Sequence, residues 1–411
     1  MTNNSIPKKP IPKRGEMIHI IKNTVKPIDR IEAIPFHDAV GRVCAENIYS
    51  SNTLPNYPVS RFDGIAVRFA DFVNGMPDTS HWISGEEYAY GNTGTAMPEG
   101  FDTVIAIEEV TIHDVGVEIR KIPEEKGELV NGIGGSLQMG ELIISEGEII
   151  APAHIGLFAS GGVSEVKIFA KPRIGIIPTG DELIPATDNV PDKKNIESNS
   201  HMIAAYINEW GGEANRYPIT KDEPELITST LKKAVNENDA VVIIAGSSLG
   251  TKDYTVGVLD SLGELVVPEL AHGPGRKSSL SVIDDKPILG VAGPPLGAQI
   301  TCDLYLDPFV SFLSRKPYEQ MQKLEVVSDD VFIEHEVDFN ERVHIYKDKD
   351  QYHIRSIFAH KPTRAKMQIL SNGNFYRVAG TSCRPGSKTT VELLCPIESI
   401  PDHDLLPETL R

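Results

Sequence analysis

Two short aliphatic runs, Ile174-Gly175-Ile176-Ile177 and Ala240-Val241-Val242-Ile243-Ile244, constrain the fold of this chain more than any other feature. Both are rich in β-branched residues and both run into glycine, the pattern of a strand buried on both faces of a parallel sheet. In such sheets ligands gather beyond the carboxyl ends of the strands. The segments that follow are Pro178-Thr179-Gly180-Asp181-Glu182-Leu183 and Ala245-Gly246-Ser247-Ser248-Leu249-Gly250-Thr251-Lys252-Asp253. One crevice is therefore expected to collect Asp181, Glu182 and Asp253 beside glycine-rich backbone that can approach a phosphate. That set suits an anionic ligand held partly through a divalent cation.

The surrounding pattern extends this unit. A helix is expected from about Ser200 to Gly211, a strand near Glu213 to Pro218, a helix from Glu223 to Asn236, and a strand at Ala240. A further buried strand is expected over Lys286–Gly293, then a helix through about Ser314. Strands alternating with helices specify an α/β sandwich. Upstream, Met17, Ile20, Ile21, Val25 and Ile28 recur at helical spacing within a segment running from Lys13 to about Tyr49, and Pro152–Gly162 reads as a helix. Between them, residues 51–149 carry short alternating runs broken by proline and glycine, as in a small β-rich module. Beyond Tyr318 the alternation in Val343-His344-Ile345-Tyr346 and Tyr352-His353-Ile354-Arg355 predicts a C-terminal module of short antiparallel strands.

The 411 residues suggest two to four domains of about 100–200 residues, and 58 acidic against 40 basic side chains leave a formal charge of −18. That balance speaks against a general nucleic-acid or anionic-membrane role, both of which need a basic face. An anionic ligand would need local arginines, backbone amides or a metal. Cys44, Cys302, Cys383 and Cys395 are scattered without a metal-ligand spacing, and read as reduced, buried small hydrophobes of a cytoplasmic protein. Residues 1–12 read as a loose tail, no secretory h-region follows them, and no apolar stretch is long enough to span a bilayer.

Other segments admit two readings each. Asp181 and Glu182 either face a ligand or cap a following helix. His272-Gly273-Pro274-Gly275-Arg276-Lys277-Ser278-Ser279 combines a sharp turn with two cations, suited to a phosphate or to an ordinary hairpin. Gly293-Pro294-Pro295-Leu296-Gly297, between strand and helix, forms either an amide nest for an anion or a rigid connection. Asp63-Gly64 before Ile65-Ala66-Val67 reads first as a hairpin turn, and Asn92 to Asp102 as turn chemistry. The histidines form no HExxH pair, and no GxSxG, P-loop or GxGxxG fingerprint is present.

In order and spacing these segments resemble the molybdopterin molybdenumtransferase family, the MoeA proteins and the C-terminal domain of gephyrin. Asp63-Gly64-Ile65-Ala66-Val67 is similar to the family's S-x-x-D-G-Y-A-V. Thr93-Gly94 through Asp102, with Glu108-Glu109 after it, is similar to T-G-A-x-x-P-x-G-A-D. Thr179–Leu183 matches T-G-D-E-L, Glu197-Ser198-Asn199 stands where D-S-N is usual, and Asp222 matches the acidic residue after the second strand. Four segments depart from the pattern. Residues 245–253 keep the final aspartate of G-G-V-S-V-G-x-x-D but lose one glycine. Gly273–Lys277 lacks the first lysine of K-P-G-K-P, and Val291–Ala298 lacks the asparagine of L-P-G-N-P-V-S-A. Asn131-Gly132-Ile133-Gly134-Gly135-Ser136-Leu137 replaces an arginine-rich stretch, and glycine and isoleucine cannot supply the charge-assisted hydrogen bonds of a guanidinium.

The resemblance implies a multidomain α/β and β protein. Its parts are a helical N-terminal segment (13–50 with 150–170), a β-rich lid module (51–149), a central three-layer α/β domain of the MoaB/Mog type (171–317) and a C-terminal β-barrel-like domain (318–411). It implies insertion of molybdate into adenylylated molybdopterin with release of AMP, assisted by Mg2+, in a homodimer with a molybdopterin adenylyltransferase as partner. Asp63, Asp181, Glu182, Asp222 and Asp253 would carry the chemistry, with Asp181, Glu182 and Asp253 on the metal. Thr179, Gly180, Ser198, Asn199, Gly246, Ser247, Ser248, Gly250, Gly275, Arg276, Lys277, Gly293 and Pro294 would bind the ligand. The alternative is a paralogue that binds a pterin, nucleotide or protein partner without inserting metal.

Overall fold

The computed structural model describes residues 11–245, 254–332, 338–356, 375–377, 382–394 and 396–403. Its contacts divide the chain into two compact units, Arg30–Phe169, and Met1–Asp29 with Ala170–Arg411. Residues 1–10, most of the expected tail, lie outside the described residues.

The second unit is built on a six-stranded sheet. Its order is Glu213–Arg216, Arg173–Pro178, Ala240–Ala245, Lys286–Ala292, Ser279–Ile283, Glu264–Val267, with the first four strands parallel and the last two antiparallel to their neighbours. Period-two geometry sends alternate side chains to opposite faces. Val242 and Ile244 join Ile203 and Ile207 of the Asn199–Glu209 helix in one core. Val241 and Ile243 join Leu231 and Val235 of the Pro224–Glu237 helix in the other. Both faces are covered, which is why the two runs carry no polar positions. The strand Lys286–Ala292 feeds a helical stretch made of Pro295–Thr301, a π turn at Cys302–Leu306, and Asp307–Leu313.

The helical spacing seen from Met17 onward extends less far than expected. The helix is Arg14–Thr24, and Ile31–Pro35 is a strand paired antiparallel with Glu165–Phe169. Pro27 accounts for the break, because a proline disfavours helical backbone at the residue before it and cannot donate to a preceding turn. Met17, Ile21 and Val25 bury against the six-stranded sheet unit.

After Tyr318 the described strands are Lys323–Ser328, Glu341–Asp348, Gln351–Ser356, Phe375–Arg377 and Lys388–Leu393, and their pairings close into a ring. The expected antiparallel pattern holds at every pair except one, where Lys323–Ser328 runs parallel to Gln351–Ser356. Parity explains the exception: a ring with an odd number of strands cannot alternate direction all the way round.

In the Arg30–Phe169 unit, one core gathers Cys44, Ile48, Ile144, Phe158 and Ile168 around the Pro152–Gly161 helix, and another gathers Ile65, Phe72, Trp82, Tyr88 and Ile105. The Asp63-Gly64 pair corrects its hairpin reading. Gly64 opens the central strand Gly64–Val67 of a three-stranded sheet, flanked by Ala89–Gly91 and Thr103–Ala106, and all four of its residues are buried rather than alternating. Glycine is needed there because a Cβ would stand 2.0 Å from the Ile105 carbonyl oxygen. Cys44, Cys302 and Cys383 are buried free thiols; Cys395 lies outside the described residues.

A candidate anion and cation site at one edge of the sheet

Because four strands run parallel, the segments after Pro178, Arg216 and Ala292 leave the sheet at the same edge, and the antiparallel strand Ser279–Ile283 begins there. Four of the sequence motifs therefore share an edge. The fifth, residues 246–253 with Gly246, Ser247, Ser248, Gly250 and Asp253, lies outside the described residues.

At the acidic end, the Thr179 amide and hydroxyl both donate to the Ile244 carbonyl, at 3.0 and 2.9 Å, and the Gly180 amide donates to the Thr220 carbonyl at 3.0 Å. These bonds extend the parallel ladder past the strand ends and bring 179–182 against 220–222. A Cβ on Gly180, whose φ is +156°, would sit 2.8 Å from Leu183 Cγ, so glycine lets the chain fold back. The Asp222 amide donates to Asp181 Oδ1 at 3.2 Å. Burial, and then the charges of Asp181 and Glu182, push the Asp222 carboxyl above its ordinary value. Asp181, Glu182 and Asp222 thus share one electrostatic site. Neither carboxylate of the 181–182 pair begins a helix; Leu183–Ile184 is a short strand paired with Asn195–Ile196.

At the other end, Asn199 Nδ2 donates to the Gly293 carbonyl at 2.7 Å, joining the start of the Asn199–Glu209 helix, with Ser198 before it, to the Gly293-Pro294 connection. A Cβ on Gly297 would lie 3.2 Å from the Gly275 amide nitrogen, so the turn at Gly275 abuts the first turn of the Pro295–Thr301 helix through two glycines. Ser278 Oγ ties them further, accepting from the Ala292 amide at 3.2 Å and lying 2.8 Å from Thr301 Oγ1. Arg276 and Lys277 both reach Glu269, at 3.0 and 3.6 Å, so their charge is partly satisfied within the protein.

Asp63 lies in the other unit, where it too meets a partner motif. Its Oδ1 accepts from the Thr93 amide at 2.7 Å and the Thr93 hydroxyl at 3.0 Å, and these bonds hold the carboxyl below its ordinary value. Asn131, at the start of the segment that lacks arginines, pairs with Val59.

The edge also holds residues that the sequence did not single out for chemistry, Glu197 among them although its place in the motif was recognised. Glu197, 5% exposed, accepts from the Ser200 amide and hydroxyl at 2.7 and 2.5 Å, while Arg216 Nε donates to Ser200 Oγ at 2.9 Å. Lys194 Nζ donates to the Asp181 carbonyl at 2.8 Å. Lys194 and Glu269 sit in unpatterned loops that carry no signal; Arg216 ends a short strand, where a charge reads as an exposed edge position.

Among the described residues, no group of three or more His, Cys, Asp and Glu is arranged to hold a metal ion. A magnesium ion keeps several waters and takes one or two carboxylates together with substrate phosphates. Asp181 and Glu182 are hard oxygen donors of that kind, set beside a third carboxylate whose repulsion a cation would relieve.

A parallel sheet carrying acidic and glycine-rich loops on one edge defines an α/β ligand-binding domain, and residues 175–311 match the profile described as "Probable molybdopterin binding domain". Residues 14–162 match the MoeA N-terminal region, domains I and II. The chain belongs to the MoeA family. A Methanocaldococcus jannaschii protein assigned by its name to molybdopterin biosynthesis is 31% identical over 304 residues, covering 70% of this chain and 75% of the relative. The molybdopterin molybdenumtransferase of Staphylococcus aureus (strain COL) is 27% identical over 323 residues, covering 74% and 76%. A crystal structure of a molybdopterin biosynthesis MoeA protein from Pyrococcus horikosii superimposes with a TM-score of 0.73 at 24% identity, covering 94% of this chain and all of that one, and shares its fold.

Proposed function

We infer that this chain acts in molybdenum cofactor biosynthesis as a molybdopterin molybdenumtransferase, inserting molybdate into adenylylated molybdopterin and releasing AMP. The observation that carries this reading is the meeting of Thr179–Glu182 with Asp222 on the sheet edge that also bears the joined Ser198–Asn199, 293–297 and 273–277 segments. Asp181 and Glu182, with Asp253, would hold Mg2+, which supplies charge to offset the phosphates. Asp222 shapes the field around it. The amides of 293–297 and 273–277 would orient the pterin phosphate, with Arg276 and Lys277 exchanging Glu269 for ligand. Asp63, fixed by Thr93, is a further carboxylate of the reaction. The reading includes a homodimer, a cytoplasmic setting, a molybdopterin adenylyltransferase as supplier of substrate, and the four-part division into 13–50 with 150–170, 51–149, 171–317 and 318–411.

A second reading, a paralogue that binds without inserting metal, is favoured by two observations. The chain lacks cations at 131–137, and Glu269 already engages Arg276 and Lys277. Purified protein given adenylylated molybdopterin, Mg2+ and molybdate should release AMP, and Glu182→Gln should slow release by about 100-fold, the scale of losing a group that acts on developing charge. Binding by calorimetry with no AMP release selects the second reading; neither binding nor release defeats both.

A further inference from the structure

A relay of polar side chains outside the proposed chemistry links the acidic edge to the Gly293–Gly297 connection. Glu197 follows the short strand Asn195–Ile196, and its amide donates to the Ile184 carbonyl at 2.9 Å, so its backbone is tied to the strand just after Asp181-Glu182. Glu197 is 5% exposed, and its carboxylate caps the Asn199–Glu209 helix, accepting from the Ser200 amide at 2.7 Å and from the Ser200 hydroxyl at 2.5 Å. That hydroxyl has spent its proton on Glu197 and toward Arg216 can only accept; Arg216 Nε donates to it at 2.9 Å. The same guanidinium sets Nη2 2.8 Å from His201 Nε2 and 3.9 Å from Glu197 Oε2. No other cation lies within 4 Å of Glu197 among the described residues. Arg216 is the last residue of the edge strand, in register with Ile176. Ser198 and Asn199 are thus held from both sides, and Asn199 carries the bond to the Gly293 carbonyl.

We propose that Arg216 is a positioning residue. Through Ser200 and Glu197 it fixes Ser198 and Asn199, and through the Asn199–Gly293 bond it fixes the 293–297 connection, in the geometry that receives the ligand. A buried carboxylate with a single cation near it, and a buried hydroxyl that accepts from that cation, have no substitute once the guanidinium is removed. The planar fork serves Ser200 and His201 at once, which the point charge of an ammonium cannot do. The proposal rests on the reading of this edge as the pterin-phosphate site, so one arm of its test needs no ligand.

Hydrogen exchange of the full chain, read by mass spectrometry on peptides covering 197–202, 291–298 and 224–237, compares the wild type with Arg216→Met, Arg216→Lys and Ser200→Ala. Arg173→Met, which breaks the ion pair with Asp239 at the opposite end of the adjacent strand, is the control. Exchange at 197–202 and 291–298 should rise about fivefold in all three variants, and stay unchanged at 224–237 and in Arg173→Met. Calorimetry with adenylylated molybdopterin and Mg2+ should show affinity about tenfold weaker in Arg216→Met, the scale of one hydrogen bond to a charged group, and unaltered in Arg173→Met. Unchanged exchange in Arg216→Met, or full recovery of both segments in Arg216→Lys, overturns the proposal, as does faster exchange with affinity intact. Should Arg216→Met fail to fold, Arg216→Lys and Ser200→Ala carry both measurements. If the wild type binds no ligand, the pterin site falls, and exchange alone decides whether Arg216 positions the two segments.

Discussion

Single residues in this chain are set by what stands opposite them. Gly64 is the clearest case: the family-like Asp63-Gly64 pair looks like a turn in isolation, yet the glycine is demanded by the Ile105 carbonyl 2.0 Å from where a Cβ would be. Gly64→Ala should therefore destabilise the Arg30–Phe169 unit by about 2 kcal/mol, as overpacking does, and urea unfolding followed by the fluorescence of buried Trp82 would register it. An unchanged midpoint would mean the strand yields without strain. Gly180 and Gly297 follow the same logic at the sheet edge, where each permits an approach that a side chain would block. The glycine-rich character of these loops was legible in the sequence. The neighbour requiring it was not.

Elements carry their own electrostatic couplings. In the C-terminal ring, Asp329 accepts from Tyr346 Oη, from His353 Nδ1 at 3.0 Å and from Arg355 Nε at 3.2 Å. Burial alone would raise its carboxyl, but these three donors outweigh burial and hold it below the ordinary value of about 3.9. A carboxyl depressed in the fold contributes stability that is present above its unfolded value and is lost as pH falls through its folded value. Asp329→Asn should thus destabilise the ring by about 1–3 kcal/mol at neutral pH, and the difference should shrink below about pH 4. Thermal melts from pH 3 to pH 7 test this; a gap constant with pH would assign the loss to packing. The alternating sequence around Val343 and Tyr352 announced strands, while the parallel pair that closes the ring follows from strand number and pairing order, which no local pattern encodes.

Across the larger unit, the π turn at Cys302–Leu306 presents Asp303 to Arg342 of the C-terminal ring, 2.5 Å apart and both almost fully buried. An ion pair so placed specifies how the two elements dock more than it stabilises them. Arg342→Met should cost about 3–5 kcal/mol by removing the guanidinium from a buried carboxylate, and adding Asp303→Leu should restore most of it. Calorimetry of the single and double variants measures the difference, and a double variant as unstable as the single would refute the docking role. The Arg14–Glu392 pair ties the helix Arg14–Thr24 to the same ring, within the unit of the sheet, while Ile31–Pro35 pairs with Glu165–Phe169.

By itself the sequence determined the parallel sheet, its helices and the loops that bear carboxylates and glycines, because burial on two faces leaves runs such as Ala240–Ile244 no polar position and glycine marks where they stop. Tertiary structure alone decided that the motif loops share one edge, that Asp222 lies under the influence of Asp181 and Glu182, and that Glu269 holds the two cations expected to face a ligand. The reason for the shared edge is range: periodicity reports which face a residue turns to its own element, whereas contacts such as Asp181–Asp222 and Asn199–Gly293, 41 and 94 positions apart, depend on strand order and helix packing. The Glu269 contacts, though only 7 and 8 positions long, cross a loop with no periodicity to read.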